Sequence, residues 1–176
     1  MKSLVEALLT LARLEGGTLR PTRDQVALRP LADESAAELA TMAAHHHVAV
    51  EIEGDAMACA DQVQMRILLS NLLSNAIRYN RPHGTVRVTM GERDGRTLLR
   101  VSDTGPGLDP ELAAHVFERF WRADASRSAP DGGSGLGLAI SKAIVNAHGG
   151  AIACHSVLNE GTTFTVTLPR GERPGK

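Results

Sequence analysis

Leu4, Leu8, Leu11 and Leu14 recur at three- and four-residue steps, so residues 3–14 read as a helix that stops at Gly16-Gly17. That helix is short for independent stability, and its leucine stripe needs a partner, which can lie outside the chain. Residues 18–29 read as a linker leading to a short strand around Gln25–Leu28. Pro30 suits a first helical turn, and Leu31–Ala44 forms an Ala-rich amphipathic pattern. Val48–Ile52 alternates like a strand. Asp61 with Gln64 makes a capping pair for a helix running to about Tyr79. Val86, Val88 and Met90 alternate up to Asp94-Gly95, a strong hairpin turn, and Thr97–Val101 returns. Residues 103–107 break the pattern. Pro110–Phe120 predicts a short helix, 124–135 is too polar for a core, and 136–148 is helical up to Gly149-Gly150. Ala151–Val157 and Thr162–Leu168 read as closing strands, followed by a frayed tail. The order predicts an α+β fold, a two-layer sandwich whose mixed, mostly antiparallel sheet carries helices on one face.

Composition narrows the function. A chain of 176 residues with 43% hydrophobic and 22% charged side chains supports one domain with a real core. The 19 basic and 20 acidic residues leave a net charge of -1, without the basic surplus of a nucleic-acid binder. Apolar stretches fall short of the roughly 18–20 residues that span a bilayer, and no signal peptide is expected. Cys59 and Cys154 form no CxxC pair, which points to a reduced, cytoplasmic setting.

Three segments carry candidate chemistry. Asn71, Asn75, Arg78 and Tyr79 fall at i, i+4, i+7 and i+8, on one helix face opposite Leu69, Leu72, Leu73, Ala76 and Ile77. Asparagine is a mediocre helix former, so two in mid-helix need a reason. A carboxamide oxygen suits Mg²⁺ already surrounded by phosphate, and arginine is a permanent cation for phosphate; an exposed polar stripe is the plain alternative. Asp103-Thr104-Gly105-Pro106-Gly107 follows a strand, where a carboxylate can accept from an exocyclic amino group and glycines admit a flat ligand. A simple turn is the alternative there. Gly133-Ser134-Gly135-Leu136-Gly137-Leu138 opens a helix, which favours an anion, although it fits neither a Walker loop nor a dinucleotide fingerprint.

Taken in order, these segments resemble the ATP-binding catalytic domain of sensor histidine kinases, in the superfamily that includes gyrase and MutL. NLLSNAIRY (71–79) resembles the asparagine box, DTGPGL (103–108) the first glycine box and VFERFWR (116–122) the phenylalanine box. GGSGLGLAI (132–140) resembles the second glycine box and EGTTFTVTLP (160–169) the closing strand motif. The resemblance implies a Bergerat fold over residues 30–169, with 1–17 similar to the end of a dimerisation helix, 18–29 a linker and first strand, and 170–176 a tail. It implies ATP and Mg²⁺ as cofactors. Asp103 would accept from the adenine amino group, with Thr162 supporting it through water. Asn75 would hold Mg²⁺, Asn71 would assist, and Arg78 and Tyr79 would meet the phosphate chain. Gly105, Gly107 and Leu108 would shape the nucleotide floor. Gly133, Gly135, Leu136, Gly137 and Leu138 would form the hinge of a lid over 109–135, anchored by Phe117 and Phe120, with Arg122 or Arg127 reaching the γ-phosphate.

Superfamily members that hydrolyse ATP carry a glutamate four residues before the metal-binding asparagine. That position is Asn71, which cannot act as a base, so phosphoryl transfer to a histidine elsewhere is implied. No phosphoacceptor motif precedes Leu4. The implied partners are a dimerisation domain bearing that histidine and a response regulator, with the chain a cytoplasmic piece of a membrane sensor. Competing readings are an anti-sigma-factor-type serine kinase and a regulatory module that transfers nothing. Asn159 stands where relatives have a glycine, and asparagine tolerates positive φ. His45-His46-His47 point apart on a helix and make a poor metal site; His83, His115, His148 and His155 read as surface or structural.

Overall fold

The computed structural model describes residues 4–18, 20–122 and 134–171. Its elements are α1 (Leu4–Glu15), β1 (Asp24–Ala27), α2 (Leu28–Glu38), α3 (Ala40–His45), β2 (Ala49–Gly54), β3 (Met57–Ala60), α4 (Gln62–Arg78), β4 (Thr85–Arg93), β5 (Arg96–Asp103), α5 (Pro110–Ala113), α6 (Gly137–Ala147), β6 (Ala151–Val157) and β7 (Gly161–Pro169). Five strands form one sheet in the order β2-β4-β5-β7-β6. Only β2 and β4 run parallel; the other pairs are antiparallel.

Local chemistry sets the frame. Asp94 (φ 53°) and Gly95 (φ 70°) both take left-handed conformations, the two-residue turn whose twist matches its flanking strands, and Arg93 pairs with Arg96 across it. Val86, Val88, Leu99, Val101, Phe164 and Val166 point to one side of the sheet, where they are buried. Leu68, Leu69, Leu72, Leu73, Ala76 and Ile77 of α4 cover that side together with α6, so the layers meet in one apolar core. Half of the α1 stripe finds its partner within the chain: Leu11 and Leu14 are buried where α1 packs along α6, while Leu4 and Leu8 stay exposed.

Four local expectations change. Residues 57–60 form β3, which pairs with β1 in a separate two-stranded sheet; a four-residue Met-Ala-Cys-Ala strand carries little propensity of its own. The helix predicted over 31–44 starts at Leu28 and breaks at Leu39 (φ -96°, ψ 4°) into α2 and α3. The helix predicted over 110–120 ends at Ala113 and continues as turns to Phe120, whose φ of 61° cannot be helical. The capping pair is half made. Asp61 accepts from the Gln64 N–H at 3.0 Å, but the Asp61 N–H donates to His148 Nε2 at 2.9 Å rather than to the Gln64 side chain.

Candidate functional site

Helix α4 divides its surface. Its leucine side fills the core, which turns Asn71, Asn75 and Arg78 to a half-buried flank and leaves Tyr79 more exposed at the end. Asn71 Nδ2 donates to the Gly137 carbonyl at 3.0 Å and ties mid-α4 to the start of α6, while its carboxamide oxygen takes no partner among the described residues. Among the described residues, the side chains of Asn75 and Arg78 have no hydrogen-bond or ion-pair partner. A cation and a carboxamide held on a half-buried flank in this way are available to an anionic ligand.

Asp103 ends β5 in register with Thr162 of β7. Its Oδ1 accepts from the Gly105 N–H at 2.8 Å and the Thr162 N–H at 3.3 Å, which aims the group, while Oδ2 takes no partner among the described residues. Burial pushes the Asp103 carboxyl above its usual range, and the two N–H bonds offset only part of that effect. Thr162 thus supports Asp103 directly through its main chain, and its hydroxyl pairs with Ser156 Oγ at 2.8 Å.

Gly105 is where the two halves of the site touch. A Cβ there would stand 2.7 Å from the Tyr79 carbonyl oxygen and 2.8 Å from Asp103 Oδ1, so no side chain fits between the end of α4 and the carboxylate. Gly107 (φ 67°) turns beneath β6, where a Cβ would meet the Val157 carbonyl at 2.0 Å. The half-buried Leu108 donates its N–H to Ser156 Oγ at 2.8 Å. Two supporting residues escaped the sequence reading. Ser156 joins Leu108, Gly161 and Thr162, and its inward place in the alternation of β6 was the available signal. Gly161 (φ 122°) lies against Asp103, with a Cβ position 1.9 Å from the Asp103 carbonyl; the closing motif contained it without marking it. Asn159 does adopt positive φ, at 65°.

The second glycine segment is described from Ser134 onward; Gly133 and Arg127 lie outside the described residues. Gly135 (φ 72°) accepts from the Phe120 N–H at 2.9 Å. Leu136 is fully buried, Leu138 is half-buried, and Gly137 begins α6. The two phenylalanines part company. Phe117 packs edge-on against Phe164, with centroids 6.1 Å apart, and lies under Lys142 Nζ at 5.6 Å. Phe120 is 54% exposed and is tied by its backbone N–H rather than by a buried ring. Arg122 is half-buried at the edge of the described segment.

The remaining candidates sort by environment. His47 stacks on His83, with centroids 5.5 Å apart, and His148 is buried. Among the described residues, no cluster of three or more His, Cys, Asp or Glu is placed to hold a metal. No helix among them is long and apolar enough to cross a membrane.

Residues 60–172 match the family described as histidine kinase-, DNA gyrase B-, and HSP90-like ATPase. The chain is 34% identical over 172 residues, 96% of its length, to the sensor histidine kinase RppB of Synechocystis sp., and spans 38% of that protein. Its fold superposes on the crystal structure of full-length ShkA in complex with AMPPNP with a TM-score of 0.85 and 28% identity, covering 98% of this chain and 36% of that one. It superposes on the mycobacterial sensor histidine kinase MprB with a TM-score of 0.75 and 30% identity, covering 85% and 100%. The ordered boxes, the two-layer fold and these likenesses agree: the chain belongs to the histidine kinase-, gyrase B- and HSP90-like ATPase family, as an ATP-binding catalytic domain of the sensor histidine kinase type.

Proposed function

We propose that the chain binds Mg·ATP between the flank of α4, the Asp103–Leu108 turn and the Gly135–Leu138 start of α6. In this reading it delivers the γ-phosphoryl group to a histidine on a dimerisation domain, for onward passage to a response regulator. The parent would be a membrane sensor with this domain on its cytoplasmic side. The observation that carries the reading is the contact at Gly105, where a half-buried carboxylate with one free oxygen lies beside the end of the helix that presents Asn75 and Arg78 unpaired among the described residues.

Each residue then has a task. Asp103 Oδ2 accepts the adenine amino proton, a hydrogen bond strengthened by charge in a site shielded from water. Thr162 and Gly105 hold that carboxylate in place. Arg78 and Tyr79 meet the phosphate chain, and the Asn71 oxygen faces it. The donor set fits Mg²⁺ bound largely through phosphate, since Asn75 offers one hard, neutral oxygen and α4 itself carries no Asp or Glu. When bound, Mg²⁺ neutralises phosphate charge. Phe120, Gly133, Gly135, Leu136 and Leu138 belong to the lid and its hinge. Asn71 cannot take a proton from water, so hydrolysis is slow without an acceptor.

Calorimetric titration with ATP and Mg²⁺ tests this. Micromolar binding is expected, weakened roughly 10- to 100-fold in Asp103→Asn, the size of one lost charge-assisted hydrogen bond. Adding a dimerisation domain should yield phosphohistidine. No heat and no thermal shift with Mg·ATP would leave a module that acts through protein contacts alone.

A further inference from the structure

The purine-reading and phosphate-facing halves of the proposed site sit on different elements, β5 and α4. Deep in the core those elements meet through leucine and valine side chains, and such contact is non-directional. At the rim the connection is made by hydrogen bonds. Asn80, the residue after Tyr79, donates from Nδ2 to the Thr85 carbonyl at 3.2 Å, and its Oδ1 accepts from the Arg81 N–H at 3.0 Å. Thr104, the residue after Asp103, accepts from the Thr85 N–H at 2.9 Å, and its hydroxyl faces Asn80 Oδ1 at 3.4 Å. The Thr104 N–H donates to the Thr85 carbonyl at 3.1 Å.

Gly84 leaves the space that the Asn80 carboxamide fills, because a Cβ there would stand 2.2 Å from Asn80 Oδ1. The knot lies one residue from Tyr79, whose carbonyl abuts Gly105, and one residue from Asp103, whose Oδ1 the Gly105 N–H holds. A slide of Asn80 against Thr104 therefore moves Gly105, and with it the direction of the carboxylate, relative to Asn75 and Arg78.

We infer that Asn80 and Thr104 are positioning residues that set the offset between the purine-reading carboxylate and the phosphate-facing flank of α4. The inference rests on the nucleotide reading above. A ligand that spans both halves feels the offset, whereas one that uses only the Asp103 half does not. Adenosine and Mg·ADP separate the two cases.

The test measures binding of both ligands to the whole chain, unaltered and as Asn80→Ala, Thr104→Val and Thr104→Ser, by calorimetry and by amide shifts at Gly105. Asn80→Ala and Thr104→Val should weaken Mg·ADP about three- to tenfold, as expected for one or two neutral hydrogen bonds, and change adenosine less than about twofold. Thr104→Ser keeps the hydroxyl and should bind like the unaltered chain. Equal Mg·ADP affinity in both deletion variants overturns the inference while the nucleotide reading stands. Equal losses for adenosine and Mg·ADP place the damage in the purine half alone, and a Thr104→Ser defect as large as that of Thr104→Val excludes the hydroxyl; either result overturns it too. If Thr104→Val does not fold, Asn80→Ala decides, and failure of both to fold makes the knot purely structural. An unaltered chain that binds no Mg·ADP removes the nucleotide reading together with this one.

Discussion

At Asp103, burial and hydrogen bonding pull in opposite directions. Burial dominates and raises the carboxyl above its usual range, so the folded state holds a proton more tightly than the unfolded chain does. Its charge therefore opposes folding at neutral pH and ceases to do so as pH falls through the raised value. Asp103→Asn keeps an oxygen for the Gly105 and Thr162 N–H groups, so we expect a melting temperature equal to or above that of the unaltered chain, with nucleotide binding weakened by the same factor of roughly 10- to 100-fold. A marked fall in melting temperature would make the carboxylate a structural group. His148 carries the opposite linkage. Burial is the largest influence and lowers its pKa, against the Ile144 carbonyl and Asp61, which favour the charged ring. The neutral ring donates from Nδ1 to Ile144 O at 2.8 Å and accepts the Asp61 N–H at Nε2. Its contribution is complete above the unfolded value near 6.5 and is lost as pH falls from there toward the folded value. Thermal melts between about pH 7 and pH 5 should show that decline, and His148→Gln should flatten it. Asp61 acts lower. Its own burial would raise its pKa, but the N–H groups of Gln64 and Thr22 together hold it below 3.8, so its share is lost only in stronger acid.

Among elements, the turn between β6 and β7 is the most constrained part of the site. Gly161 combines a φ of 122° with a Cβ position 1.9 Å from the Asp103 carbonyl, so a side chain there pushes directly on the strand end that bears the carboxylate. Gly161→Ala is expected to cost about 2–4 kcal/mol in urea denaturation and to weaken Mg·ADP in the same variant. A cost under about 0.5 kcal/mol would mean that β5 and β7 can separate freely at this point. Elements also mark how far the sequence could be read. The two faces of α4 were legible because a period of 3.6 residues sorts leucines from asparagines without outside help. The Asp94-Gly95 hairpin was legible because two adjacent positive-φ positions favour that dipeptide. β3 was not, since its alanines and cysteine gain strand character only by pairing with β1.

For the whole molecule, the unexpected contact is α1 on α6. Leu11 and Leu14 are buried there and Glu15 pairs with Arg119, while Leu4, Val5, Leu8 and Leu9 remain exposed. Each buried leucine contributes about 1.5–3 kcal/mol to docking. Replacing both with alanine should strip hydrogen-exchange protection from α1 and leave α4 and the sheet protected; loss of protection throughout would make α1 part of the global fold. The order of the boxes, the helix and strand periods and the turn dipeptides follow from residues within a few positions of one another, so the sequence alone carried the fold class and the family. The tertiary structure alone decided that His148, 87 residues from Asp61, takes the N–H of that helix cap. It alone seated Gly105 under the Tyr79 carbonyl, buried Ser156 beneath Leu108 and parted Phe117 from Phe120. Each of those outcomes depends on atoms that meet only once the layers close, and no local pattern of polarity encodes such a meeting.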